Sequence, residues 1–124
     1  MIKREAIENY VRSYNRFDVD GMLRDLHEEV EFINIAQGET NLRIQGIAAF
    51  REQAERAAKL FQEREQVITD YQEQDDLAEI TIAYRGVLAV DFSAEMKAGS
   101  TIQLQGKSIF RFSDGKIILI EDRS

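Results

Sequence analysis

The chain has 124 residues, 44% hydrophobic and 31% charged, which predicts one soluble globular domain spanning residues 1–124. Its formal net charge of −7 argues against nonspecific binding to nucleic acid or to an anionic membrane, because both need clustered lysine and arginine. The absence of cysteine excludes disulfides and thiolate chemistry. The stretch MIKREAIENY lacks an apolar signal-peptide core, and no apolar run approaches a membrane span, so we expect a cytoplasmic protein.

Apolar spacing predicts two helices near the start of the chain. The first covers residues 3–16, and Asp18 is placed to cap a short second helix whose buried stripe ends at Leu26. We place His27 in the last turn of that helix, where a histidine favours the helix dipole, in preference to a base inside a cavity. No second histidine stands at a ligand spacing from it, so we expect no metal site.

The stretch VEFINIAQG, residues 30–38, is typical of a strand. Side chains alternate between the two faces of a strand, so Val30, Phe32 and Asn34 should share one face. Asn34 would then lie on a mostly apolar face, where a polar amide needs hydrogen-bond partners. A turn cluster, QGETN, and a short second strand, LRIQG, follow it.

The remaining chain predicts one long helix followed by strands. Residues 47–63, IAAFREQAERAAKLFQE, are rich in helix formers, with an apolar stripe from Ile47 to Phe61. Four strand-like segments come next, and Asp114-Gly115 is a tight-hairpin signal between the last two. These four segments are QVITDYQEQ, AEITIAYRGVLAVDF, TIQLQGKSIFRF and KIILIEDRS. Helices early and long antiparallel strands late predict an α+β fold with one sheet face packed against helices.

Three segments occur in an order that resembles a known superfamily: YVRSYNRFDVDGMLRDLHEEVEF, then GIAAFREQ, then SIFRFSDGKI. The chain is similar to nuclear-transport-factor-2-like proteins, also described as SnoaL-like or ketosteroid-isomerase-like, which have a cystatin-like fold. The resemblance implies a cone-shaped half-barrel, with a curved, mostly antiparallel sheet wrapped over three helices and a cavity at its mouth. That scaffold serves isomerases, cyclases, dehydratases, hydrolases and noncatalytic binding domains.

The resemblance to steroid isomerases implies three cavity positions. Their oxyanion-binding tyrosine corresponds to Tyr10, their proton-shuttling aspartate to Asn34, and their protonated late-strand aspartate to Ser108. An amide is no general base, and a serine hydroxyl is no carboxylic acid, although both form hydrogen bonds. The steroid-isomerase acid pair is therefore not intact in this sequence.

The resemblance to polyketide cyclases implies an acid near the end of the last strand. The family's register places Ile118, Ile120 and Asp122 inward, so Asp122 is the candidate acid or base. A carboxyl at an apolar mouth would have a raised pKa. The alternative is a solvated carboxylate that pairs with Arg123 or another cation.

Further residues are expected to line the cavity, with plain core packing as the alternative for the aromatic ones. The candidate ligand-binding residues are Asn34, Ser108, Tyr84, Phe32, Tyr14, Phe110 and Ile120.

Two functions remain open from the sequence. The first is a noncatalytic protein that binds a small, largely apolar ligand in the cavity. The second is an isomerase- or cyclase-type enzyme that transfers a proton next to a carbonyl, with Asp122 as acid or base and Tyr10 and Asn34 as donors to the oxygen. We expect no cofactor. The resemblance also implies a homodimer through the open sheet face, whose side chains are Thr81, Ala83, Arg85, Gln103, Gln105, Ile109 and Arg111.

Overall fold

The computed structural model describes residues 2–124 and shows an α+β fold, as the sequence predicts. Among these residues, no helix has both the length and the apolarity needed to cross a membrane. In chain order the elements are α1 (Lys3–Asn15), α2 (Val19–Leu23), β1 (Leu26–Ala36), β2 (Glu39–Gln45), α3 (Ile47–Ala58), β3 (Phe61–Gln74), β4 (Leu77–Leu88), β5 (Thr101–Ser113) and β6 (Lys116–Arg123).

The six strands form one open sheet in the order β2-β1-β6-β5-β4-β3. All neighbouring strands are antiparallel except β1 and β6, which run parallel. Helix α1 packs against β3 and α3 packs against β1, so the helices cover one face of the sheet. This confirms the curved, mostly antiparallel half-barrel. The core between helices and sheet includes Ile7, Ile80, Phe110, Ile117 and Ile120, all at most 1% exposed.

The junction between α1 and α2 follows the predicted capping. The Asp18 carboxylate accepts a hydrogen bond from the backbone N–H of Gly21 at 3.0 Å, so it caps α2 as expected. The buried side chain of Asn9 adds a second link, since its Nδ2 donates to the Gly21 carbonyl at 2.9 Å. Together these bonds fix α2 relative to the middle of α1, just before the chain enters β1.

The second helix is shorter than predicted. It ends at Leu23, and both Leu26 and His27 belong to β1, so the assignment of His27 to a helix terminus is wrong. The chain becomes a strand here because the Ile117 N–H donates a hydrogen bond to the Asp25 carbonyl at 2.9 Å, which pairs it with β6. His27 Nδ1 accepts a hydrogen bond from the Glu29 N–H at 3.0 Å, and its Nε2 lies 3.9 Å from an Asp114 carboxylate oxygen.

The third helix also ends early. It stops at Ala58, and Phe61 begins β3 instead of closing the helical stripe. The last turn tightens through a bond from the Leu60 N–H to the Ala57 carbonyl. The Leu60 carbonyl then accepts from the Ala89 N–H at 2.8 Å, which draws the chain alongside β4.

A β-bulge changes the predicted register of β6. Phe112 pairs with Ile117 and Arg111 pairs with Leu119, so Ile118 is the extra residue on β6. Ile117 is fully buried and Ile118 is partly exposed, and the prediction that Ile118 points inward is therefore wrong. Beyond the bulge, Ile120 and Asp122 point inward as predicted.

Candidate active site

A cavity of about 430 Å³ lies between the helices and the sheet. Its volume is in the range of small-molecule sites, roughly 300–1,000 Å³. Apolar and aromatic side chains from the helices and from the sheet form much of its wall. They are Met22, Phe32, Leu42, Phe50, Ala54, Ala57, Phe61, Ile82 and Leu104. Lys107, Arg123 and Ser124 also line the cavity and are exposed, so the cavity opens to the surface beside them.

Asp122 lies in this cavity, near the end of β6. Its neighbour across β5 is Ser108 and its neighbour across β1 is Asn34, so three adjacent strands each place a polar side chain here. The Ser108 hydroxyl donates to Asp122 Oδ1 at 2.7 Å. Desolvation raises the pKa of Asp122 to about 6, against the lowering effect of that hydrogen bond. A carboxyl with this pKa can accept and return a proton near neutral pH.

Asn34 lines the cavity beside Asp122 and has a hydrogen-bond partner of its own. Its Nδ2 donates to the side-chain oxygen of Asn41 on β2 at 2.8 Å. This bond satisfies one of the two hydrogen-bond donors of the Asn34 amide, which the sequence places on a mostly apolar strand face. The second amide hydrogen and the carbonyl oxygen leave Asn34 able to contact a ligand.

Tyr10 comes from α1 and lines the cavity opposite the sheet. Its ring packs edge-on against the Phe110 ring, with the two ring centres 5.9 Å apart, and is tilted against the Phe50 ring, with the centres 6.3 Å apart. Burial raises the pKa of its hydroxyl, the Asp122 carboxylate raises it further, and the Arg64 charge opposes them. Tyr10 therefore stays neutral and can act as a hydrogen-bond donor.

A second pair of tyrosines lines the same cavity. The hydroxyls of Tyr14 on α1 and Tyr84 on β4 are 2.9 Å apart, so one donates to the other. The hydroxyl that accepts keeps its own hydrogen free for a ligand. Burial raises the pKa of both tyrosines.

Two buried polar residues of the cavity, Arg64 and Gln66, are absent from the sequence-based candidates. They are 5% and 8% exposed, and alternation along β3 directs both toward the cavity. Arg64 falls between the predicted third helix, residues 47–63, and the predicted strand that begins at Gln66, so alternation was not applied to it. A register irregularity between Phe61 and Glu63 shifts the alternation, so Arg64 and Gln66 share the inner face with Phe61. Counting back in steps of two from Ile68, which packs against the core, would have placed both residues on that face.

The structure brings together most of the predicted site residues. Those that line the cavity are Tyr10, Tyr14, Phe32, Asn34, Tyr84, Ser108 and Asp122. Phe110 and Ile120 are fully buried partners across β5 and β6 and are not among the lining residues. The Tyr10 ring packs on Phe110, which accounts for the position of Phe110 in the core. His27 is likewise not among the lining residues.

The acidic and histidine side chains of residues 2–124 form no cluster of three or more that could hold a metal ion. The polar groups at the cavity are the Asp122 carboxyl, neutral tyrosine, serine and amide groups, and the cations Arg64, Lys107 and Arg123.

Comparison with known proteins identifies the family. Residues 7–120 match the model of the SnoaL-like domain. The chain belongs to this family. No curated protein matches this SnoaL-like chain in sequence.

Solved structures share the fold of this SnoaL-like domain. A candidate polyketide cyclase from Xanthomonas campestris pv. campestris is 24% identical, with a TM-score of 0.83 and coverage of 98% of this chain and 88% of that one. An uncharacterised cystatin-fold protein from Novosphingobium aromaticivorans is 16% identical, with a TM-score of 0.80 and coverage of 98% and 97%. A protein with a ketosteroid-isomerase-like fold from Catenulispora acidiphila is 12% identical, with a TM-score of 0.78 and coverage of 98% and 85%. The family match confirms the SnoaL-like resemblance predicted from the sequence, and these solved structures confirm the fold.

Proposed function

We propose that this SnoaL-like chain binds a small, largely apolar carbonyl compound in its cavity and transfers a proton at the carbon beside the carbonyl. The observation that carries the proposal is the carboxyl of Asp122, which lines a mostly apolar cavity and has a pKa raised to about 6. Membership of the family supports a small-molecule-binding or cyclase- or isomerase-type role.

The proposed step uses Asp122 as both base and acid. Its ionised carboxylate takes the proton from the carbon, and the electron pair of the broken C–H bond moves onto the carbonyl oxygen to give an enolate. The neutral Tyr10 hydroxyl and the Asn34 amide are the proposed donors to that oxygen. Asp122 then returns the proton to carbon, so the reaction needs no cofactor.

The Ser108 hydroxyl holds the base in position in this scheme. It donates to Oδ1 of Asp122, which directs the proton to the other oxygen, Oδ2. Ser108 is 2% exposed, so water does not compete strongly for this bond. Steroid isomerases keep their protonated aspartate at the position of Ser108; here Ser108 orients the acid of the adjacent strand.

Deuterium exchange into 1-tetralone, a bicyclic apolar ketone, tests the proposal. In heavy water, proton NMR should show that the protein accelerates exchange at the carbon beside the carbonyl, with a rate that rises as the pH passes through about 6. Asp122→Asn should slow the protein-dependent exchange by about a hundred-fold or more, the usual contribution of a general acid–base group. Glu121→Gln is the matched control because Glu121, one residue away, pairs with Arg123, and the exchange rate should be unchanged.

Three outcomes would contradict the proposal in different ways. Exchange that survives Asp122→Asn would reject Asp122 as the acid and base. Tetralone that binds in the cavity, as shown by shifted signals of lining residues, but does not exchange would identify a noncatalytic binding protein. Absence of binding would reject apolar ketones as ligands of the cavity.

A further inference from the structure

The Arg64 guanidinium is a buried charge with spare hydrogen-bond donors. The residue is 5% exposed and lines the cavity. Its Nε donates to the Tyr14 carbonyl at 2.9 Å, whereas Nη2 is buried and has no hydrogen-bond partner within residues 2–124. Arg64 forms no ion pair with any carboxylate in that range.

A structural role accounts for only part of this arrangement. The guanidinium lies 3.7 Å from the centre of the Tyr14 ring and 4.5 Å from that of Phe17, so cation–π contacts offset some of the desolvation. Aromatic faces are poor substitutes for hydrogen-bond acceptors, and arginine does not lose its proton inside proteins. A buried charge without a counterion is costly, and because Arg64 lines the cavity, an anion bound there would offset that cost.

We propose that Arg64 binds an anionic oxygen of the ligand, so that the ligand of this cavity is a small apolar acid carrying a carboxylate or an acidic enol. The inference rests on the proposed function, because it takes the cavity to be the ligand site. Gln66 and the free hydroxyl hydrogen of the Tyr14–Tyr84 pair add neutral donors near the same end. Arginine suits this role because its planar guanidinium matches carboxylate geometry.

The position of Arg64 relative to Asp122 gives such a ligand a direction. Arg64 is on β3 and Asp122 is on β6, with β4 and β5 between them. Three strand spacings correspond to about 14 Å along a flat sheet, and less where the sheet curves. An anionic group would be attracted to the buried Arg64 charge at the β3 end and repelled by the Asp122 carboxylate at the β6 end. The cations that line the cavity at that end, Lys107 and Arg123, are exposed, so water and salt screen their attraction. The ligand would then present its other end to Asp122 and Ser108.

Binding of 2-naphthoate and 2-naphthamide tests this inference, since the two probes share an apolar scaffold and differ in charge. We expect the full chain to bind naphthoate about ten-fold or more tightly than naphthamide, as charge-assisted hydrogen bonds imply. Arg64→Met should remove this preference and leave the affinity for naphthamide within about two-fold. Arg85→Met removes an exposed cation from β4 and is the control for general attraction of anions to the protein. This variant should keep the preference for naphthoate.

A second measurement on the unaltered chain keeps the test valid if Arg64→Met does not fold. The guanidinium NMR signals of Arg64 should shift when naphthoate binds and stay in place when naphthamide binds. Equal affinity for the two probes, or unmoved Arg64 signals with naphthoate bound, would overturn the role of Arg64 and leave the proposed function standing. Failure of both probes to bind would reject the cavity as a site for such ligands, and the inference with it.

Discussion

The hydroxyl of Ser108 donates a hydrogen bond to Oδ1 of Asp122 at 2.7 Å. This bond links the side chains of two paired strands, β5 and β6, in the wall of the cavity. Two effects act on the carboxyl at this point. Desolvation raises its pKa, and the hydrogen bond lowers the pKa by stabilising the ionised form. Desolvation is the larger effect, so the pKa rises from 3.8 to about 6.

Asp122→Asn should stabilise the fold at high pH. Because the folded-state pKa of about 6 exceeds the unfolded value of 3.8, the folded state holds this proton more tightly. The stability that comes from the protonated carboxyl is fully present below about pH 4 and is lost as the pH rises through about 6. The variant should therefore gain on the order of 2 kcal/mol in unfolding free energy at pH 8, and much less at pH 4.

Urea unfolding of both proteins at pH 4 and pH 8 measures this difference. Glu121→Gln is the control, because it also removes one carboxylate from β6 but breaks the ion pair with Arg123 and should bring no gain at high pH. A stability difference between wild type and Asp122→Asn that does not change with pH would contradict the raised pKa.

Ser108→Ala should raise the pKa of Asp122 further. The substitution removes the donor that stabilises the ionised carboxylate, while desolvation persists. Titration of the aspartate carboxyl signals by carbon-13 NMR should show the Asp122 midpoint moving upward, and Ser108→Thr should keep a midpoint nearer to that of wild type. A lower midpoint in Ser108→Ala would mean that the hydroxyl does not stabilise the ionised form.

Gly106→Ala should destabilise the end of β6. A Cβ at this position would lie 2.8 Å from the backbone oxygen of Arg123, so the strand that follows Asp122 would have to move. Overpacking of this kind costs about 1–3 kcal/mol. Thr101→Ala changes an exposed side chain on the same strand and should alter stability by less than about 0.5 kcal/mol. Equal urea midpoints for the two variants would show that the close approach is easily relieved.

The outer face of the sheet leads us to expect a homodimer. Val67 on β3 is 46% exposed and lies in a shallow groove with Ala83, Gln103 and Gln105 from β4 and β5. Burial of this aliphatic side chain against a second copy would remove apolar surface from water. Sedimentation should give twice the mass of one chain, and Val67→Glu should give monomers.

Ile2→Glu provides the control for that experiment, because Ile2 is also an exposed aliphatic residue but lies outside the sheet. It should leave the dimer intact. Wild-type protein that sediments as a monomer at high concentration would reject the dimer.

Local signals in the sequence were sufficient for much of the fold. Asp18 caps α2 as predicted, and Asp114 and Gly115 adopt the positive φ angles, 54° and 76°, of a tight hairpin turn. Element boundaries were less predictable, because Leu26 and Phe61 fit a helical stripe as well as a strand. In both places sheet hydrogen bonds from distant residues decide the outcome.

The resemblance to steroid isomerases implied a cavity position for Ser108, and Ser108 lines the cavity together with Tyr84. The bulge at Ile118 arises from pairing with β5, which local periodicity does not encode. Arg64 was missed because it lies between the predicted helix, which ends at residue 63, and the predicted strand, which begins at Gln66. Its significance depends on burial without an ion-pair partner, which is visible only in the folded chain.

Carbon-13 NMR titration of the unliganded protein measures the pKa of the Asp122 carboxyl. It tests directly whether this group can accept and return a proton near neutral pH. Assignment of its signal is checked by its disappearance in Asp122→Asn. We expect a midpoint of about 6. A midpoint at or below the ordinary value of 3.8 would contradict this role, since the carboxyl would then behave as a solvated strand-end group.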